Sequence, residues 1–365
     1  MSGNGSGERI ARVAATVVEA PLDEHMRAYG STRVAVMLVR ITDGDGRTGT
    51  GFTYTLGLGA GIVAAMVREV LGPEIAGTAP ADWDETSSRL AAATRRIGRG
   101  VFVPALSALD IAMHDLRGIQ AGLPLYRLLG REATRVPIYG SGRSSNRLDD
   151  DALLDGARRY LDEGYPAMKI RVGARDPAAD VARVAAVRDV VGPGVRLMVD
   201  ANEQLRPDTA AALVTGLAEV GVDWIEEPFV AEDVAAHAEL AAGTGIPVAV
   251  GEHLVGPYEF DTYARGRAAA LFQPDAALAG GVSAALRIAA VARAHGVPIA
   301  WHSLPELHVH LAMDDPIVSY VEHFPILDPL LAAPLSRDGG TVTAPGTPGH
   351  GIVWDEGAIA AMTVA

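Results

Sequence analysis

From about residue 136 the chain repeats one pattern: a short apolar run, then a longer stretch with apolar positions at helical spacing. The runs occupy 136–140, 167–172, 195–200, 222–227, 247–252, 270–275, 298–302 and 318–322. Amphipathic stretches such as 180–191 and 207–220 lie between them. Strand alternating with helix implies a parallel sheet. Eight such units over about 200 residues close into a barrel rather than an open sheet. The expected fold is α/β: a modified TIM barrel of (β/α)8 type, (β/α)7β, over residues 131–330.

Residues 1–130 read as a separate α+β domain. The segment 34–41 is a strand, Asp43-Gly44-Asp45-Gly46 a hairpin-type turn, and 49–55 the return strand. Helices are expected at about 60–71, 82–97 and 104–121. Residues 331–365 hold no further βα unit, and their turn-rich run from Pro334 is expected to return to the first domain.

Composition narrows the function. Apolar residues make up 49% and charged residues 21% of the 365, an ordinary soluble balance. A net charge of −14 argues against nucleic acid or an anionic membrane as partner. An acidic protein that binds a small acid needs a local positive site, from a divalent metal or a few placed cations. The absence of cysteine excludes disulfides, zinc–thiolate sites and cysteine nucleophiles. Residues 1–7 lack a basic-then-apolar leader, and no apolar run approaches the ~18 residues of a membrane span. A cytoplasmic location is expected.

The strand ends carry Lys169 and Arg171, Asp200 and Asn202, Glu226, Glu252, Asp275, His302 and Glu322. Twenty-six residues separate Asp200 from Glu226 and again Glu226 from Glu252, about one βα unit. Residues at the C-terminal ends of barrel strands converge on one mouth. A single strand-end carboxylate is commonly a helix N-cap, but caps do not account for polar ends in consecutive units. Asp200, Glu226 and Glu252 offer three hard oxygen ligands without histidine or cysteine, which suits Mg²⁺ better than zinc. Lys169 is the chain's one lysine against 30 arginines. Its pKa responds to burial, whereas arginine stays charged. Lys169 and Arg171 lie two apart, on one face of their strand. Asp275 beside His302 would orient the imidazole and raise its pKa, as suits a general base. These parts fit removal of a weakly acidic proton α to a carboxylate, with a metal stabilising the enolate.

The order Lys169-x-Arg171, Asp200-Ala-Asn202, Trp224-Ile-Glu-Glu-Pro228, Gly251-Glu252, Pro274-Asp275, His302 and Glu322 resembles the enolase superfamily, mandelate racemase subgroup. Segments 108–118, 122–130 and 348–355 extend the resemblance across most of the chain. It implies an N-terminal capping domain and Mg²⁺ on Asp200, Glu226 and Glu252. It implies a His302–Asp275 base dyad. Glu322 would donate a hydrogen bond to the substrate carboxylate, Lys169 would neutralise it, and Asn202 would contact substrate or water. Loops near 21–34 and 52–59 would cover the mouth, making His25, Tyr29 and Tyr54 specificity candidates, with Ser141 and Arg143 facing the site. A homo-oligomer is also implied. Racemases of the family carry a second lysine where this chain has Arg171, and arginine is a poor base at neutral pH. That substitution favours an acid-sugar dehydratase acting on an aldonate or aldarate. A racemase or epimerase using Lys169 or Arg171 opposite His302, and a non-catalytic acid-binding protein, are the alternatives.

Overall fold

The computed structural model describes residues 7–26 and 31–364. Its first domain is an antiparallel sheet of Ile10–Pro21 (β1), Arg33–Asp43 (β2) and Thr48–Thr55 (β3), in that spatial order. The β2–β3 hairpin closes over the expected turn, where Gly46 takes φ 85 and the Asp43 carboxylate accepts the N–H groups of Asp45 and Arg47. β1 departs from the sequence reading, which left 10–21 without an element. Its mixed Ala, Val and Thr composition carries no decisive period. Pairing decides it: β2 satisfies its backbone in an unbroken ladder from Arg12↔Thr42 to Pro21↔Arg33.

Helix ends shift as well. The helix Arg99–Ala121 starts five residues earlier than expected and contains Pro104. Proline near a helix start removes one backbone bond, while the added turn buries Phe102 and Val103. The helix Trp83–Ala93 stops short of 97, where the Thr94 hydroxyl donates to the Leu90 carbonyl. Residues 60–75 are helical with a widened π turn at Met66–Leu71.

Among the described residues, eight parallel strands form the barrel. They are Val136–Gly140 (β4), Ala167–Arg171 (β5), Arg196–Asp200 (β6), Ile225–Glu226 (β7), Val248–Val250 (β8), Leu271–Phe272 (β9), Ile299–Trp301 (β10) and Val318–His323 (β11). Each falls within one of the eight apolar runs, except that β11 extends one residue further. Closure is direct: β11 pairs with β4 at Val321↔Ile138, Glu322↔Tyr139 and His323↔Gly140.

After β11 the chain runs back along both domains. Thr341–Val342 pairs antiparallel with β4, and Thr363–Val364 adds to the edge of β1. His350 donates its N–H to Asp115 at 2.8 Å and its ring contacts the Thr50 carbonyl at 2.9 Å. No described helix is long and apolar enough to cross a membrane.

Two tests follow from this packing. Helix Arg99–Ala121 lies so close on β3 that a Cβ at Gly51 would collide with the Ala108 carbonyl oxygen and the Ala112 amide. Gly51→Ala should therefore lower stability by about 2 kcal/mol in urea denaturation. Buried His310 accepts from the Tyr126 N–H (3.3 Å) through Nδ1 and donates through Nε2 to the His350 carbonyl (2.9 Å). Burial pushes its pKa down to about 3. A depressed folded pKa means full stability above the unfolded value of ~6.5, lost progressively as pH falls toward 3. The urea midpoint should drop more steeply between pH 6.5 and 4 for the wild type than for His310→Gln.

Candidate active site

The barrel interior has a packed floor made of one side chain from each unit: Tyr139, Ala167, Met198, Trp224, Ala249, Leu271, Ala300 and Tyr320. Side chains alternate along a strand, so the residue two further on faces the same interior, one layer nearer the mouth. Those residues are Ser141, Lys169, Asp200, Glu226, Gly251, Gln273, His302 and Glu322. The polar layer is thus the apolar floor advanced by two positions. Gly251 is the exception in size, since a Cβ there would strike the Gln273 backbone. Its neighbour Glu252, just beyond β8, supplies the carboxylate for that unit.

Lys169 Nζ lies at the centre of this layer. It contacts both Glu226 oxygens and Glu322 Oε1 at 2.8 Å, and Asp200 Oδ2 at 3.4 Å. Burial opposes its charge, but Glu226 and Glu322 outweigh that and hold its pKa well above the ordinary lysine range. Glu226 also accepts from Gln273 Nε2 at 2.7 Å, and Gln273 reaches the Tyr139 hydroxyl at 3.2 Å. Glu322 accepts the Ser303 N–H at 2.9 Å. Although burial opposes it, Lys169 and His302 bring the Glu322 pKa down to about 2. In this arrangement it accepts from Lys169 and from the Ser303 N–H.

His302 Nδ1 contacts Asp275 Oδ2 at 3.0 Å, and its Nε2 pairs with Glu252. Burial disfavours the imidazolium, but Glu252 and Asp275 raise the His302 pKa well above its ordinary value. Asp275 is fully buried, and its Oδ1 accepts the Ala277 N–H at 2.8 Å, capping the short helix Ala276–Ala279. The dyad expected from sequence is assembled, with Nδ1 held by the carboxylate and Nε2 directed toward Glu252.

Asp200, Glu226 and Glu252 end adjacent strands β6, β7 and β8, but each is turned onto a neighbour: Asn202, Lys169 with Gln273, and His302. Among the described residues, the one group of possible ligand atoms all within 4.8 Å of one another is Glu203, Glu227 and His253. That group is satisfied internally, with His253 Nδ1 2.8 Å from Glu227 and Glu203 accepting the Ala231 N–H. The chemistry of the inner set still fits a hard dication. Five carboxylates, including Asp275 and Glu322, crowd against Lys169 and His302. Burial first, and then the charge of Asp200, push the Glu226 pKa well up. Oxygen donors alone, on rigid strand ends, match Mg²⁺.

The mouth above is a cavity of about 320 Å³ lined by Tyr54, Thr55, Leu56, Arg171, Asn202, Glu252, His253, Leu278, His302 and Phe324. Arg171, two beyond Lys169, stands over the Phe324 ring at 5.8 Å. Asn202 folds back on Asp200, with φ 44 and bonds of 2.9 and 3.0 Å. Tyr54 reaches in from β3, and its hydroxyl donates to Asp275 at 2.8 Å. Two expected mouth residues lie elsewhere. Gly142 turns the chain at φ 97, so Arg143 lies on the Tyr160 ring and pairs with Glu163 at 2.7 Å in a side cavity. His25 lines the same side cavity, bonded to Asp23 at 2.8 Å. Ser141 borders that cavity and hydrogen-bonds Glu322, so it touches the polar layer from the side. Tyr29 lies outside the described residues.

Sequence reading passed over Gln273 and Tyr139, although Gln273 sits two before Asp275 and so shares its face. It also passed over His308, whose ring accepts the Ala276 N–H at 3.0 Å and contacts the Ser303 carbonyl at 2.7 Å, tying the loops that carry Asp275 and His302. The regular run of strand ends pointed to Gln273, but nothing local pointed to His308.

Comparison with known proteins places the chain in a family. Residues 9–130 match the mandelate racemase/muconate lactonizing enzyme N-terminal domain, and residues 152–358 the enolase C-terminal domain-like family. The chain is 36% identical over 310 residues to L-talarate/galactarate dehydratase of Salmonella typhimurium, covering 84% of this chain and 78% of that one. It is 35% identical over 353 residues to 3,6-anhydro-alpha-L-galactonate cycloisomerase of Streptomyces coelicolor, covering 95% and 97%. The crystal structure of L-talarate dehydratase from Polaromonas sp., complexed with Mg and L-glucarate, superposes with a TM-score of 0.90 at 34% identity, covering 98% of each chain. With its capping sheet, closed barrel and ordered strand ends, the chain belongs to the mandelate racemase/muconate lactonizing enzyme family of the enolase superfamily.

Proposed function

We propose that the protein is an Mg²⁺-dependent acid-sugar dehydratase, acting on an aldonate or aldarate. The observation that carries this reading is the asymmetry of the proton-transfer groups. Among the described residues, His302 is the imidazole at the mouth whose Nδ1 lies on Asp275, and its Nε2 would be released to act as base once Glu252 is taken up by the metal. In the same cavity, at the end of β5, stands Arg171, and a guanidinium is a poor base at neutral pH. Lys169 is committed to Glu226 and Glu322. Racemisation needs proton transfer on both faces of the α-carbon, whereas elimination needs one base and an acid for the leaving oxygen. The dehydratase relatives support the same choice.

When bound by Asp200, Glu226 and Glu252, Mg²⁺ supplies Lewis-acid polarisation of the substrate carboxylate. His302 Nε2 removes the α-proton, and Lys169 faces the charge that develops on the carboxylate. The electron pair of the broken C–H bond moves into the carboxylate to give an enediolate, and as that charge returns the C2–C3 double bond forms and the C3–O bond breaks. The proton held on His302 passes to the departing hydroxide, giving water and an enol that tautomerises to the 2-keto-3-deoxy acid. Burial of the polar layer keeps solvent from competing for that proton.

A second reading is favoured by the cycloisomerase relative, which aligns along 97% of its length. The same proton abstraction would then expel a ring ether oxygen instead of a free hydroxyl, with no water released.

A panel of linear and anhydro acid sugars with Mg²⁺ in D₂O separates these readings. Keto acid from a linear substrate supports the dehydratase; keto acid only from an anhydro substrate replaces it with the cycloisomerase. α-Deuteration with inversion and no keto acid would turn the assignment to an isomerase. His302→Asn should lower turnover at least ~1000-fold, since it removes the base itself, while the protein still binds Mg²⁺ in calorimetry. Gln273→Leu leaves Glu226 with one fewer donor and should weaken Mg²⁺ binding about tenfold or more in the same titration.

A further inference from the structure

We propose that Tyr54 is a positioning residue through which the capping domain sets the His302–Asp275 dyad. The inference rests on the reading of His302 as the base. Tyr54 and His302 bond to the same oxygen, Asp275 Oδ2, at 2.8 and 3.0 Å. The other oxygen, Oδ1, is taken by the Ala277 N–H. The carboxylate is therefore gripped from three sides, and only Tyr54 comes from outside the barrel. A carboxylate held by three donors cannot rotate without breaking one of them, so the imidazole bonded to it keeps one orientation.

The grip continues into the interface between the domains. The segment following Asp275 also docks on the helix Arg99–Ala121. Ser107 Oγ accepts the Gly280 N–H at 2.9 Å, and Asp110 Oδ1 accepts the Ser283 N–H at 2.9 Å. Gly281, at φ 80, lies so close to Asp110 that a Cβ would collide with its carboxylate. Tyr54 is itself held on a stiff strand. It pairs with Val36 on β2, and two residues earlier Phe52 packs edge-on against Trp354 at 5.5 Å. Burial and the Asp275 charge push the phenol pKa well up, so its hydroxyl stays a donor. The capping domain thus holds Asp275 from above through Tyr54 and from behind through Gly280 and Ser283. The aim of the base therefore depends on contacts that the capping domain makes.

The test is Tyr54→Phe, which keeps the ring and removes the hydroxyl. With the acid sugar turned over by the wild type, kcat should fall about tenfold while KM stays within about threefold. In an Asp275→Asn background the same substitution should add little, because its effect passes through that carboxylate. A raised KM with unchanged kcat would overturn the proposal and make Tyr54 a substrate contact; so would full additivity with Asp275→Asn. A second readout needs no substrate. In protein carrying ¹⁵N-histidine, the His302 ring signals, assigned by their loss in His302→Asn, should move in Tyr54→Phe. Ring signals identical to wild type would overturn the proposal even if no acid sugar is turned over. An inactive wild type with moved signals would instead count against the dehydratase reading alone.

Discussion

Lys169 compensates much of the negative charge gathered at the top of the barrel. Asp200, Glu226 and Glu322 all contact its ammonium group, and these groups are nearly inaccessible to solvent. An isolated buried carboxylate is costly, and a set of them is tolerable only with cations and donors placed among them. Here the lysine, the His302 imidazole, Gln273 and the Ser303 N–H divide that work. Arginine would not do the same at position 169. Its fork is longer and planar, while the point charge of an ammonium can meet three carboxylates at once.

This polar layer is stable because of what lies beneath it. The floor from Tyr139 round to Tyr320 is mostly apolar and closely packed, with Tyr139 edge-on to both Trp224 and Tyr320. It fixes the depth at which each strand stops being apolar, and the alternation of side chains then sets the functional groups one layer higher. The same regularity explains the exceptions. Gly251 leaves room for the Gln273 backbone, and Ser303 and Leu304 adopt φ 52 and 45 as the chain leaves β10. Non-glycine residues in that region are uncommon and are held by their surroundings. Here the holding contacts are Glu322 on the Ser303 amide and His308 on its carbonyl.

The first domain is more than a cover. Its helix Arg99–Ala121 docks on the segment just after Asp275, its strand β3 delivers Tyr54 to that carboxylate, and the returning C-terminal segment binds Asp115 and Thr50. Proton-transfer geometry and domain docking therefore share residues. Changes at the interface far from the mouth have a direct route to the base.

The sequence by itself determined the barrel, because eight apolar runs separated by helical stretches admit few other topologies, and it determined which residues end the strands. Lys169, Asp200, Glu226, His302 and Glu322 were legible for a physical reason: a two-residue period carries side-chain direction along a strand without any knowledge of its neighbours. What tertiary structure alone decided depends on contacts between distant segments. β1 is a strand because β2 satisfies its backbone. Arg143 leaves the mouth because Gly142 turns the chain toward Tyr160. Glu322 is an acceptor because Lys169 and Ser303 both donate to it. Tyr54 meets Asp275, 221 positions away, only once the two domains have docked. Local period encodes direction; it does not encode partners.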